Sequence, residues 1–129
     1  MSEQPRHILV AEDDRFLRKA AEMALKRHGY AVLTAADGEE ALRAAQSALP
    51  DLILLDLIMP KLNGFDVLQA LKKEPPTAHI PVIILSSLGQ DRDVQQAMDA
   101  GAAAYLIKTD LSLQALVQRV EEALTASDG

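Results

Sequence analysis

The stretch "LLDLIMPKLNG", residues 54–64, decides how the rest of the chain is read. A run apolar enough to fill the middle of a sheet meets a single carboxylate, Asp56. It then breaks at Met59-Pro60 and again at Asn63-Gly64, a turn-and-helix-start signal. A strand buried on both faces has no cost-free place for a charge in its interior, but its end does. Asp56 is therefore expected at the edge of a buried sheet, aimed at whatever gathers there.

Working outward, the same alternation recurs five times. Short β-type runs stand at "HILVA" (7–11), "AVLTA" (31–35), "LILLD" (52–56), "VIILS" (82–86) and "AYLIK" (104–108). The third and fourth are almost wholly apolar, as parallel strands covered on both faces should be. Between them the apolar residues fall at helical spacing. Leu17, Ala21, Ala24 and Leu25 form a first stripe closed by Gly29, and Ala41, Leu42, Ala45 and Leu49 a second ended by Pro50. Val67, Leu68 and Leu71 mark a third before "EPP" at 74–76, and Val94, Ala97 and Met98 a fourth stopped at Gly101. The fifth starts near Ser112, an N-cap with Leu111 and Leu116 as a hydrophobic staple, and runs to about Leu124. Strands alternating with helices give a doubly wound α/β sheet with helices on both faces. In such sheets ligands bind beyond the carboxyl ends of the strands.

The chain's 129 residues fit one domain, and a single unit with a core over about 6–125 and no output domain is expected. With no Cys, disulfides, thiolate nucleophiles and Cys-ligated metals are excluded. The formal charge of −6 and pI of 4.9 argue against nucleic-acid binding, which wants a basic face. Neither a membrane span nor a signal-like N-terminus is visible, so a cytoplasmic protein is expected.

The strand ends carry the chemistry. The first ends in Glu12, Asp13 and Asp14, the third in Asp56, the fourth in Ser86 and Ser87, the fifth in Lys108. Taken singly, Asp13 or Asp14 is a helix cap, Ser86 a turn residue and Lys108 a surface charge. Convergence at one edge changes that reading. Carboxylates about 5 Å apart repel by roughly 3 kcal/mol per pair at an effective dielectric near 20, so Glu12, Asp13 and Asp56 together need a cation. A few hard oxygen ligands suit Mg²⁺ or Mn²⁺ with waters and phosphate oxygens completing the shell. A carboxylate beside such an ion is a nucleophile for phosphoryl transfer, and Lys108 and the Ser86 hydroxyl can meet the phosphoryl oxygens.

With "LVAEDD", "DLILLDLIMPKLNG", "PVIILSS" and "AYLIKT" in that order, the chain resembles the receiver domain of two-component response regulators over nearly its full length. The resemblance implies the flavodoxin-like strand order 2-1-3-4-5. It implies Asp56 as phosphoacceptor and Asp13 as a direct metal ligand. Glu12 would act through a metal-bound water, and the Ile58 backbone carbonyl would be the third protein ligand. Ser86 matches the switch hydroxyl, Tyr105 the aromatic that follows it, and Lys108 the lysine of the site. Asp14 lies beyond the acidic pair, as a cap. The implied partner upstream is a sensor histidine kinase or a histidine phosphotransfer protein. Downstream it is a protein that reads the face of the fourth helix, fifth strand and fifth helix. Such a module is a regulatory phosphoacceptor that assists its own phosphorylation and dephosphorylation, not an enzyme.

Other readings fit the residues less well. An aspartyl-nucleophile phosphohydrolase resembles D-x-D, whereas Ile58 stands two residues after Asp56. A flavodoxin-like cofactor binder would want a phosphate-cradling loop where "AEDDR" would repel one. A degenerate receiver serving only as a scaffold would lack Asp13, Asp56 or Lys108, and all three are present. His7, His28 and His79 are scattered without ligand spacing. Two departures from the family pattern remain. Thr109 stands where Pro usually follows the lysine through a cis bond, so the bond is either cis at a cost of about 2.5–4 kcal/mol or trans with a rebuilt loop. Ile58 and Ser87 occupy positions that tune phosphoryl lifetime, and an apolar Ile58 offers nothing to orient water, which implies slow hydrolysis. "SLGQDRD" (87–93) is expected to be the mobile loop.

Overall fold

In a computed structural model, which describes residues 4–128, five parallel strands form one sheet in the order β2-β1-β3-β4-β5. The strands are β1 His7–Ala11, β2 Ala31–Ala35, β3 Leu52–Leu55, β4 Val82–Ser86 and β5 Ala104–Ile107. The helices are α1 Arg15–Arg27, α2 Gly38–Ala48, α3 Gly64–Lys73, the single turn α4 Pro75–Ala78, α5 Asp91–Asp99 and α6 Leu113–Asp128. The doubly wound sheet and its strand order are those expected from the sequence.

Strand alternation divides the core into two layers. Ile8, Val10, Leu52, Leu54, Ile83, Leu85 and Leu106 pack with Ala21 and Leu25 of α1 and Leu116, Val120 and Leu124 of α6. Leu9, Ala11, Ile53, Leu55, Val82 and Ile84 pack on the other side with Ala41 and Ala45 of α2, Val67, Leu68 and Leu71 of α3 and Ala97 of α5. β3 and β4 are buried along their whole length, which is why both read as unbroken apolar runs. Leu54 and Leu55, fully inside, lock the backbone that delivers Asp56.

The helix starts follow local chemistry. Asp14 caps α1 by accepting from the Phe16 and Leu17 N–H groups, Asp37 caps α2 through Glu40 N–H, and Asn63 caps α3 through Asp66 N–H. Ser112 accepts from Ala115 N–H at the start of α6. Gly29 and Gly101, both at positive φ, follow the ends of α1 and α5 as C-terminal breakers.

Five features differ from the sequence reading. β3 stops at Leu55 and β5 at Ile107, so Asp56 and Lys108 stand one residue past their strands. The "EPP" break contains the one-turn helix α4, with Pro at its first positions and the buried Thr77 hydroxyl donating to Leu71 O. The loop after β4 ends at Gln90, because Asp91 already opens α5. Finally, α6 continues past Leu124 to Asp128, where Arg6 pairs with the Asp128 carboxylate.

Candidate functional site

The parallel register sets the strand ends level. Ala11 pairs with Leu55, Leu55 with Ile84, and Ile84 with Tyr105. The next residues, Glu12 and Asp56, are therefore neighbours, and Asp56 N–H donates to Ala11 O at 3.0 Å. Glu12, Asp56 and Lys108 share the parity of Val10, Leu54 and Leu106. Alternation carried just past the strands turns all three toward the α1 and α6 side of the sheet.

One oxygen each from Glu12, Asp13 and Asp56 lie within 4.8 Å of one another, with Glu12 and Asp56 buried and Asp13 exposed. Lys108 Nζ stands 2.7 Å from Glu12 Oε1 and donates to Asp56 Oδ2 at 2.9 Å. The second Asp56 oxygen, Oδ1, accepts from Ile58 N–H at 3.1 Å. Glu12 Oε2 accepts from Asp14 N–H at 2.9 Å. Its Oε1 faces Lys108 Nζ as an ion pair and, among the described residues, has no hydrogen-bond partner of regular geometry. Burial pushes the Glu12 carboxyl up to about 7, with the nearby Asp56 charge adding to the rise and Lys108 and Asp14 N–H opposing it. For Lys108, desolvation opposes the ammonium, but contacts with Glu12 and Asp56 outweigh it and raise its pKa.

One ammonium cannot balance three carboxylates. Together with the undirected Glu12 oxygen, that deficit makes the all-oxygen cluster a fit for a hard divalent cation. The peptide bond between Lys108 and Thr109 is trans, and residues Lys108–Asp110 form a 3₁₀ turn. Of the two possibilities at Thr109, the rebuilt loop is the one adopted, and Lys108 still reaches Asp56.

Ser86 is fully buried at the end of β4, and its Oγ accepts from Leu88 N–H at 3.1 Å. The Tyr105 hydroxyl donates to Leu88 O at 2.6 Å. Both groups named for a switch thus grip one residue of the loop that follows β4. Ile58 exposes its side chain, and Ser87 is exposed beside Ser86.

Sequence reasoning missed Arg18, whose Nη1 donates to Glu12 O at 2.8 Å and Asp13 O at 3.3 Å. It also missed Gly38, where a Cβ would lie 1.7 Å from Leu62 O. Asp37 caps α2 just before it, but nothing local says that another loop's backbone rests on the glycine.

The family model for the response regulator receiver domain matches residues 8–121. The chain belongs to that family. A gliding motility regulatory protein of Myxococcus xanthus is 43% identical over 114 residues, covering 88% of this chain and 15% of that protein. The DNA-binding dual master transcriptional regulator RpaA of Synechocystis is 39% identical over 121 residues, covering 94% of the chain and 50% of the relative. This receiver chain thus spans about half or less of the curated relatives it matches. Among solved structures, a response regulator receiver domain protein from Clostridium thermocellum superposes with a TM-score of 0.86 at 33% identity, covering 95% of this chain and 97% of that one. Among the described residues no helix is long and apolar enough to cross a membrane.

Proposed function

We propose that residues from about 6 to 125 act as one phosphoacceptor unit in which Asp56 receives a phosphoryl group from the phosphohistidine of a sensor kinase or phosphotransfer protein. The observation that carries this reading is the pair of contacts on Asp56. Lys108 Nζ holds Oδ2 at 2.9 Å and Ile58 N–H holds Oδ1 at 3.1 Å, beside the carboxylates of Glu12 and Asp13.

Asp13 and Asp56 would hold Mg²⁺ or Mn²⁺ directly, with the Ile58 carbonyl as a third ligand and Glu12 acting through a bound water. When bound, the ion supplies charge neutralisation for the carboxylates and the incoming phosphoryl oxygens. An Asp56 carboxylate oxygen attacks phosphorus as the phosphorus–nitrogen bond of the phosphoimidazole breaks. The electron pair returns to the ring nitrogen, which takes up a proton, and Asp56 becomes an acyl phosphate. Lys108, already within 2.9 Å, donates to a phosphoryl oxygen. Ser86 Oγ gives up Leu88 N–H and donates to another. The released loop passes the change to the face made by α5, β5 and α6, where a downstream protein reads it. The apolar Ile58 side chain orients no water, so the acyl phosphate is expected to hydrolyse slowly.

Intact-mass measurement after incubation with acetyl phosphate and Mg²⁺ tests the reading. A single phosphoryl adduct is expected on the wild type and none on Asp56→Asn. An unmodified wild type, or an equal adduct on the variant, overturns it and leaves a phosphorylation-independent scaffold.

A further inference from the structure

Asp13 is the exposed member of the acidic cluster, so packing does not hold its carboxylate in place. Its position must come from the backbone of the turn between β1 and α1. The two peptide groups flanking Asp13 carry the carbonyls of Glu12 and Asp13, and Arg18 Nη1 donates to both, at 2.8 and 3.3 Å. The second of these peptides is gripped on its other edge too, because Asp14 N–H donates to Glu12 Oε2 at 2.9 Å. Arg18 itself is anchored one turn into α1, with its N–H bonded to Asp14 O at 2.9 Å. Both bonds leave from Nη1, at the end of a planar guanidinium whose reach and orientation a shorter, freely rotating ammonium does not reproduce.

Resting on the metal-binding reading above, we infer that Arg18 is a positioning residue for the divalent cation: it clamps the backbone on both sides of Asp13 so that the carboxylate is pre-aimed at the ion. The guanidinium touches no carboxylate oxygen of the cluster among its hydrogen bonds; it acts on main chain alone.

Two physical effects of removing Arg18 have opposite signs, which makes the inference decidable. If Arg18 were only a nearby positive charge, its loss would relieve repulsion and tighten Mg²⁺ binding. If it is a clamp, its loss frees the turn and weakens binding, by about tenfold as for other groups that orient metal ligands from behind.

The experiment is titration calorimetry of Mg²⁺ into the unphosphorylated chain, comparing wild type with Arg18→Gln, Arg18→Lys and Lys19→Gln. Lys19 neighbours Arg18 on α1 and pairs with Glu22, so its variant removes the same charge without touching the turn. The expected result is about tenfold weaker binding in Arg18→Gln, several-fold weaker in Arg18→Lys and unchanged or slightly tighter in Lys19→Gln. Phosphorylation by acetyl phosphate at saturating Mg²⁺ should return close to wild type in both Arg18 variants, because the clamp acts on metal affinity. Affinity in Arg18→Gln equal to or tighter than wild type overturns the inference while leaving the site intact. Should Arg18→Gln fail to show a native circular dichroism spectrum, wild-type affinity in Arg18→Lys overturns it equally. A wild type that binds no Mg²⁺ overturns the metal-binding reading and this inference with it.

Discussion

Lys108 stands between Glu12 and Asp56, 2.7 Å from one carboxylate and 2.9 Å from the other, and is the internal cation of an otherwise acidic pocket. Both carboxyl groups are buried, so the ammonium offsets a desolvation cost that water cannot. Removing it in Lys108→Ala is expected to lower stability in the absence of metal by about 2 kcal/mol. That is less than the 3–5 kcal/mol typical of breaking a fully buried pair, because Lys108 is partly exposed and Glu12 can take up a proton. Saturating Mg²⁺ should restore much of the loss. Urea unfolding with EDTA and with Mg²⁺ measures both, and a variant equally destabilised under the two conditions would refute the internal-cation role.

Glu12 gives the metal-free protein a pH dependence of definite sign. Burial raises its carboxyl to about 7 in the fold, from an ordinary value of 4.5 in the unfolded chain. Between those values the folded state binds the extra proton, so its stabilising contribution is present below pH 4.5 and lost as pH rises through 7. The metal-free Tm should therefore fall as pH rises from 4.5 through about 7. Carboxylates held low by their partners, such as Glu22 and Asp37, act only in stronger acid and do not intrude on this window. Added Mg²⁺ favours the carboxylate, so its stabilising effect should grow over the same range. Scanning calorimetry with EDTA and with Mg²⁺ checks the crossing trends. A metal-free Tm that rises with pH would contradict them.

The parts of this molecule legible in sequence are those that rest on periodicity. Unbroken apolar runs at 52–55 and 82–85 could only be central parallel strands, and their ends located Asp56 and Ser86 directly. The helix starts at Asn63 and Ser112 were readable because their side chains bond to backbone N–H three residues on. What escaped reading depends on contacts between segments. Arg18 looks like any solvated residue of α1, and its bonds to Glu12 O and Asp13 O follow from how the helix leaves the strand. Gly38 is small because Leu62, 24 residues later in sequence, lies against it. The α4 turn forms where Pro75 and Pro76 permit a helix start and buried Thr77 ties it to α3. Thr109 left the loop after β5 undecided, because local propensity does not choose between a strained cis bond and a new turn.

Gly64 joins the end of β3 to α3 by close approach. A Cβ there would lie 2.2 Å from Asp56 O and 2.6 Å from Leu57 Cα, both main-chain atoms unable to swing aside. Gly64 N–H also donates to Leu57 O at 2.8 Å, so the helix start and the strand end are one packed unit. Gly64→Ala should cost about 3 kcal/mol through overpacking, more than the gain in helix propensity returns. Because the displaced atoms are those of Asp56 itself, its phosphorylation rate should drop more than in a variant equally destabilised elsewhere, such as Leu124→Ala. Urea midpoints paired with acetyl phosphate kinetics make the comparison, and equal rates in the two variants would show the strand end to be unaffected.

Ser86 and Tyr105 hold opposite sides of Leu88, one through its N–H and the other through its carbonyl. Tyr105→Phe removes one partly buried hydrogen bond and should cost about 1 kcal/mol. Ser86→Ala leaves the Leu88 N–H without its acceptor beside a buried site and should cost about 1–2 kcal/mol. If each bond fixes the loop for the other, breaking the first already forfeits part of the second. The double variant should then lose at least 0.5 kcal/mol less than the sum, the range seen for residues that share a partner. Urea unfolding of the two single variants and the double variant gives this coupling energy. Strict additivity would mean that Leu88 is held independently at its two ends, and the loop could not then carry a change at Ser86 to Tyr105.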